Sequence, residues 1–229
     1  MVIGTCNLEN LCRPLPPGGP PSNRCASRDE AAYQAKLAGL AATIGHLAPD
    51  LLGVQEVGSR EALADLADRL DGDWHIALST HPDRRGIGRA AEAVTMRFVA
   101  DQLLRGDGRA HEVIVMGDLN DEFKAATTQI LYGPPGSQIG TGGFQDSGLG
   151  DPRRLWNLAP RILEQGGFSR VFEGQKELID HILVSRALLP RLERVFTGHE
   201  RLPALDGAHP AAPHDSPSDH APVLAVLDY

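Results

Sequence analysis

The nine residues Val113-Ile114-Val115-Met116-Gly117-Asp118-Leu119-Asn120-Asp121 constrain the fold more than any other stretch of the chain. A short apolar run closed by a glycine and acidic or amide side chains predicts a strand covered on both faces. Such strands belong to layered α/β proteins, where ligands bind in the crevice beyond the strands' carboxyl ends. Gly117 lets the backbone turn or lets a neighbour approach closely, while Asp118 and Asn120 place an acceptor and an amide at that rim. The same residue types also make an ordinary turn, so the rest of the chain has to decide between the two.

Further strands are expected at Val2–Cys6, Leu51–Gln55, Trp74–Leu78, Leu178–Val184, Leu192–Phe196 and Pro222–Leu227. Ser27-Arg28-Asp29-Glu30 has capping-box spacing. The pattern Tyr33, Leu37, Leu40, Ile44, Leu47 continues it as an amphipathic helix that stops before Pro49. Ser59 caps a second helix through Leu63, Leu66, Ala67 and Leu70, closed at Gly72. A third helix is expected over about 90–105, with Val94, Phe98, Val99 and Leu103 as its apolar residues. The Pro/Gly-rich stretches 13–24, 133–153 and 203–217 read as loops. Strands and helices alternate early and strands predominate late, which predicts a layered α/β architecture with mixed sheets. At 229 residues, and with no interdomain linker, residues 1–229 are expected to form a single domain.

A net charge of −8 argues against a chain-wide electrostatic grip on a polyanion, but not against a phosphate handled through a bound cation. The basic pairs Arg84-Arg85 and Arg153-Arg154 read first as solvated loop charges. Cys6, Cys12 and Cys25 lack metal-type spacing, and read as free thiols or as one bridge plus one free thiol. No apolar run approaches the length of a membrane span, and the first residues lack a basic-then-apolar signal pattern, so the default expectation is a cytoplasmic protein.

Several expected strands end in, or are immediately preceded by, polar residues of one chemical kind. The segments are Asn7-Leu8-Glu9-Asn10, Gln55-Glu56, Asp118-Leu119-Asn120, Asp180-His181 and Ser218-Asp219-His220. If they share a rim, Glu9, Glu56, Asp118, Asp180 and Asp219 meet two amides and a histidine. Carboxylates held that close raise one another's pKa unless a cation neutralises them, and an oxygen-rich set selects Mg²⁺ or Mn²⁺. Such a site suits hydrolysis of a phosphate ester. A metal polarises the phosphoryl group, a carboxylate accepts a proton from water, and amides and an imidazolium offset oxygen charge. Asp180 and His181 point to opposite faces of a strand, so only one can face the rim. Asp180 is the better choice, orienting His220, with His181 structural. Each element alone has an ordinary explanation as a turn residue, a helix-start anion or a sheet-edge charge. Their order and their strand-end placement together are what those explanations do not supply.

The ordered set Cys6-Asn7-Leu8-Glu9-Asn10-Leu11, Leu52-Gly53-Val54-Gln55-Glu56-Val57, Val113 to Asp121, Glu177 to Ser185 and Ser218-Asp219-His220-Ala221-Pro222-Val223 resembles the endonuclease/exonuclease/phosphatase superfamily. That resemblance implies a deoxyribonuclease-I-like fold, a four-layer α-β-β-α sandwich with two central mixed β-sheets, and Mg²⁺-dependent phosphoester hydrolysis. It implies that Asn7, Asp118, Asn120, Asp180 and His220 are catalytic. Glu56 and Asp219 take the place of metal ligands, with Glu9 as an acidic residue near the metal. The implied partner is a phosphoester substrate, with nucleic acid among the options, and the implied activity is that of a nuclease-like phosphodiesterase. A phosphatase of small molecules or lipid head groups is the alternative.

The chain departs from the family pattern between the third expected strand and the helix near 90. Family members carry further strands there, with another active-site histidine. Here His81-Pro82-Asp83-Arg84-Arg85-Gly86-Ile87-Gly88 runs directly into Arg89-Ala90-Ala91-Glu92. Gly88–Arg89 therefore reads as a junction where a middle segment is missing, roughly 30–40 residues at usual strand and loop lengths. The sandwich is expected to lack some strands and to have an open edge. A non-catalytic remnant of the fold is the third functional reading.

Overall fold

Ten residues, Val2–Leu11, form the strand β1 on which the first sheet is built. The structure is a computed structural model and describes residues 1–14, 29–77, 89–133, 151–199 and 218–229. Helix α1 (Glu30–Leu47), strand β2 (Leu51–Val57), helix α2 (Arg60–Ala67) and helix α3 (Arg89–Leu104) follow. Then come β3 (Ile114–Asp118), α4 (Ala126–Ile130), β4 (Leu155–Asn157), α5 (Ala159–Leu163) and the hairpin β5 (Arg170–Phe172) and β6 (Gln175–Glu177). Strands β7 (Asp180–Ser185), β8 (Leu192–Thr197) and β9 (Val223–Leu227) complete the chain. One sheet has the order β2-β1-β9-β8 and the other β3-β7-β4. Among the described residues only β1 and β2 run parallel; the remaining pairs are antiparallel.

Alternation along the strands sorts side chains into layers. Ile3, Val223, Ala225 and Leu227 of the first sheet meet Trp156, Ile182 and Val184 of the second in one buried cluster. Cys6, Leu8 and Leu11 instead face Tyr33, Leu37, Leu40 and Ile44 of α1 and Ala62 and Leu66 of α2. Leu155 and Leu183 face Ala93, Ala100 and Leu104 of α3. Helix, sheet, sheet and helix thus stack in that order. Ile182 lies fully buried at the inter-sheet centre. Ile182→Ala is expected to cost about 3 kcal/mol, read as a lower urea midpoint at unchanged m-value.

Several local expectations are corrected. Residues 73–77 carry no regular structure, where a strand at Trp74–Leu78 is expected, and Leu78 lies outside the described residues. Half-buried and exposed positions do alternate there, but Trp74 Nε1 donates to the Asp71 carbonyl instead of the segment joining a ladder. Strand β1 runs on to Leu11, with an irregularity between Asn7 and Leu11 that the polar residues occupy. Helix α1 is capped by Asp29, which accepts from Ala32 N at 2.9 Å, whereas Ser27 lies outside the described residues. Ser59 caps α2 as expected.

Helix α3 presents the reverse of its expected face. Val94, Phe98, Val99 and Leu103 are 56%, 64%, 51% and 54% exposed, while Ala93, Arg97, Ala100 and Leu104 are buried. Small alanines let the helix approach the sheet. Arg97 fastens it by donating to the Leu131 and Arg153 carbonyls and to Asp101. Arg154 is not a solvated charge either, since it is buried with its guanidinium 4.8 Å from the centre of the Trp156 ring. Cys6 is a buried free thiol and Cys12 is disulfide-bonded, so of the two cysteine readings the bridged one holds. Reduced thiols therefore lend no support to a cytoplasmic location. Residues 15–28, 78–88, 134–150 and 200–217, including Arg84-Arg85 and Gly88, lie outside the described residues. No described helix is long and apolar enough to cross a membrane.

Candidate active site

Three strand ends carry residues with left-handed backbone: Glu9 and Asn10 in β1, Glu56 in β2, and Asn120 just after β3, with φ between 47° and 57°. Non-glycine residues adopt this conformation at a cost, and such residues cluster at functional sites. At Asn120 the cause is local, because its N–H donates to Asp118 Oδ1 at 2.7 Å. Gly117 has φ 156°, which favours glycine, and a Cβ there would come within 3.4 Å of Gln55 Nε2 from the facing sheet.

Asn7 is buried between the sheets, where its Nδ2 donates to Asp118 Oδ2 at 3.0 Å and its Oδ1 accepts from Glu9 N at 2.8 Å. The two sheets are therefore joined at this rim by one amide–carboxylate bond. Next to it, His220 Nδ1 lies 2.7 Å from Asp180 Oδ2. Asp180 is fully buried, and its Oδ1 has no hydrogen-bond partner among the described residues. Burial raises the Asp180 carboxyl above the ordinary range, against the lowering effect of His220. For His220, burial works to lower the pKa, but the bond to Asp180 and the charges of Asp180, Asp219 and Asp118 outweigh it and hold the ring at about 9. The nearby charges of Asp118 and Asp219 add to that of Asp180 in favouring the protonated ring.

Serines hold this pair in place. Ser218 Oγ donates to the Asn7 carbonyl at 2.7 Å and accepts from His220 N at 3.1 Å. Ser169 Oγ accepts from the N–H groups of Ile179 and Asp180, and its carbonyl accepts from Ala221 N. Ser218 stands in a motif the sequence singles out, whereas nothing in the sequence marks Ser169.

Asp118, Asp180 and His220 offer ligand atoms within 4.8 Å of one another, close enough to hold a cation. Two of those groups already spend an atom on each other in the Asp180–His220 bond. The sequence places the metal at Glu9, Glu56 and Asp219. Their carboxylates do not close into an equally tight trio, but they do act on one another. Burial raises the Glu9 carboxyl, Asp219 and Glu56 raise it further, and Lys36 opposes them. Lys36 Nζ lies 3.3 Å from Glu9 Oε2 and is buried on α1. The only sequence signal for Lys36 is its place among Tyr33, Leu37 and Leu40 on the apolar face of that helix. Glu56 is exposed, and its Oε2 accepts from Asn10 N at 3.1 Å. Asp219 is about half exposed, with its Oδ1 3.9 Å from His220 Nε2. Mutually repelling oxygen donors of this kind fit a divalent cation.

His181 points to the other face of β7, towards the helices. Its Nε2 donates to the Asp121 carbonyl at 2.8 Å, and its Nδ1 accepts from Asn157 Nδ2 at 3.2 Å, in the tautomer that satisfies both. The neutral ring thus ties the loop after Asp118 to the sheet. Burial lowers its pKa from 6.5 to about 4. The unfolded chain therefore takes up this proton first. Its contribution is complete above pH 6.5 and is lost as pH falls from 6.5 to 4, by about 3 kcal/mol. His181→Gln is expected to flatten that part of the stability–pH curve measured by urea unfolding.

Residues 4–220 match the model of the Endonuclease/Exonuclease/phosphatase family. The fold is similar to that of a mannosyl-6-phosphatase from Bacteroides thetaiotaomicron, with a TM-score of 0.60 and 15% identity over 100% of both chains. An endonuclease/exonuclease/phosphatase from Bacteroides vulgatus gives a TM-score of 0.56 at 14% identity, over 99% of this chain and 98% of that one. A humanized D. rerio TDP2 gives 0.56 at 13% identity, over 100% of this chain and 99% of that one. No curated protein sequence matches. With a family match over nearly its whole length, the chain belongs to the Endonuclease/Exonuclease/phosphatase family.

Proposed function

We propose that the chain is a Mg²⁺- or Mn²⁺-dependent phosphoester hydrolase that cleaves phosphodiesters in the manner of a nuclease. The observation that supports this most is the adjacency, at one rim, of the Asp180–His220 pair and the Asn7–Asp118 bond. Glu56, Asp219 and Glu9 would hold the cation, which when bound supplies Lewis-acid polarisation of the phosphoryl group.

The remaining roles fall to groups of the chain itself. Asp118, fixed through both oxygens by Asn7 Nδ2 and Asn120 N–H, accepts a proton from the attacking water. Being held through both oxygens removes the rotational freedom that would misplace it. Asn120, exposed beside it, offers its amide to a phosphoryl oxygen. His220, whose Nδ1 is taken up by Asp180, presents Nε2–H to the same oxygens and offsets the charge they gain. Asp180 fixes the tautomer and orientation of that ring.

The net charge of −8 favours a second reading, in which the substrate is a small phosphate ester, not a long polyanion. One panel separates the two. The protein with Mg²⁺ or Mn²⁺ is assayed against a generic phosphodiester, a phosphomonoester and plasmid DNA. Cleavage of the diester and of plasmid supports the first reading, and turnover confined to the monoester supports the second. Glu56→Gln is expected to raise the metal concentration needed for half-maximal rate at least tenfold. A folded protein inactive on all three substrates would sink both readings and leave a non-catalytic member of the family.

A further inference from the structure

Helix α1 buries a lysine where its pattern calls for an apolar residue. Tyr33, Lys36, Leu37, Leu40 and Ile44 form the buried face of that helix, and the other four pack with Cys6, Leu8 and Leu11 of β1. The Lys36 side chain is only 8% exposed, so its stem lies in the interior while its ammonium meets Glu9 at the rim. Taking an ammonium out of water is costly unless close, well-aligned partners offset it. Here the contact is 3.3 Å, longer than the roughly 2.7–2.9 Å of a strong charge-assisted bond, and Glu9 is itself partly exposed. As an isolated pair it does little for the fold.

The charges around the pair give the lysine its use. Asp219 and Glu56 both act on the Glu9 carboxylate, and Lys36 opposes both. Local hydrogen bonds keep these acids close. Asn10 N–H donates to Glu56 Oε2, Glu9 N–H donates to Asn7 Oδ1, and Ser218, next to Asp219, donates to the Asn7 carbonyl. Three carboxylates fastened to one strand repel one another whenever no cation is bound. We propose that Lys36 is the resident countercharge of this acidic rim, standing in for the divalent cation when none is bound. The inference rests on the reading of Glu9, Glu56 and Asp219 as cation ligands. Lys36 reaches the site through Glu9, so it is a positioning residue and not a catalytic one. A fixed positive charge beside the donors steadies the empty rim and weakens its hold on an incoming ion. The two effects are linked: the stability Lys36 gives the empty protein in excess of the loaded one is subtracted from cation affinity.

Calorimetric titration of the metal-stripped full chain with MnCl₂, beside thermal melts with and without MnCl₂, tests this on Lys36→Met, Lys36→Gln and Lys36→Arg. The two neutral variants should bind Mn²⁺ about tenfold more tightly than the unsubstituted chain. They should also melt lower when stripped, with a gap that narrows at saturating Mn²⁺. Lys36→Arg keeps the charge and should stay within about threefold of the unsubstituted affinity. A neutral variant that is unfolded when stripped should fold on adding Mn²⁺; one unfolded in both conditions would count against the proposal. Equal affinities in every variant, or weaker binding by the neutral ones, would overturn it and leave Lys36 a plain structural partner of Glu9. An unsubstituted chain that binds no Mn²⁺ would instead sink the cation reading, and this inference with it.

Discussion

Asp118→Asn lowers kcat on a phosphodiester by about 10³-fold, within the 10²–10⁴-fold range of a lost general base, and leaves KM nearly unchanged. The substitution keeps the volume but removes an anionic acceptor that bridges the two sheets. Asn7 Nδ2 donates to one Asp118 oxygen and Asn120 N–H to the other. An asparagine there can accept through one oxygen only, so one of those donors faces an amide NH₂ and the rim loosens. Steady-state kinetics beside a urea melt check this. A fall in kcat that matches the fraction unfolded would count against a chemical role for Asp118.

His220→Ala lowers kcat by about 10²–10³-fold, the usual loss when one preorganised donor to a developing oxyanion is removed. Its position makes the effect large. The ring is buried, tied to a fully buried Asp180 and flanked by Asp118 and Asp219, so the donor it presents is held in a fixed place. The variant also strips Asp180 of a partner, and a buried carboxylate left alone destabilises the fold by about 3–5 kcal/mol. The double variant Asp180→Asn/His220→Ala separates the two effects. It should recover much of the stability of His220→Ala and none of its activity.

The residues that carry these effects are legible in the sequence because they sit where strands end. Asn7, Asp118, Asp180 and His220 follow or precede apolar runs whose period fixes which face they take, and the structure brings all four to one rim. Parity alone sends Asp180 inward and His181 outward. Parity cannot reveal the supports that arrive through space. The Ser169 hydroxyl accepts from the N–H groups of Ile179 and Asp180, ten and eleven residues away, and Lys36 reaches Glu9 from a helix. Glu9, Glu56 and Asp219 are near enough to affect one another without forming a tight trio, a distinction of ångströms that spacing along a chain does not encode.

The failures have physical causes too. The third helix reads as amphipathic, but its larger apolar stripe faces outward, because Ala93, Ala100 and the hydrogen bonds of Arg97 decide which side docks. Hydrophobic pattern reports that a face wants cover; it does not say from which molecule. Trp74–Ala77 alternates as a strand does but has no neighbouring strand among the described residues to complete a ladder, and a lone strand is not stable. The short elements β4, α5 and the β5–β6 hairpin are three to five residues each, too brief for periodicity to register.

The central claim is that this rim hydrolyses phosphoesters with a divalent cation. Its most direct test is the initial rate of bis(p-nitrophenyl) phosphate hydrolysis by the purified full chain, titrated with Mg²⁺ or Mn²⁺, with and without chelator, beside Asp118→Asn and His220→Ala. Saturable, chelator-sensitive turnover that both variants lose by two orders of magnitude or more is the predicted result. Turnover that persists in chelator, or that either variant retains, would contradict it.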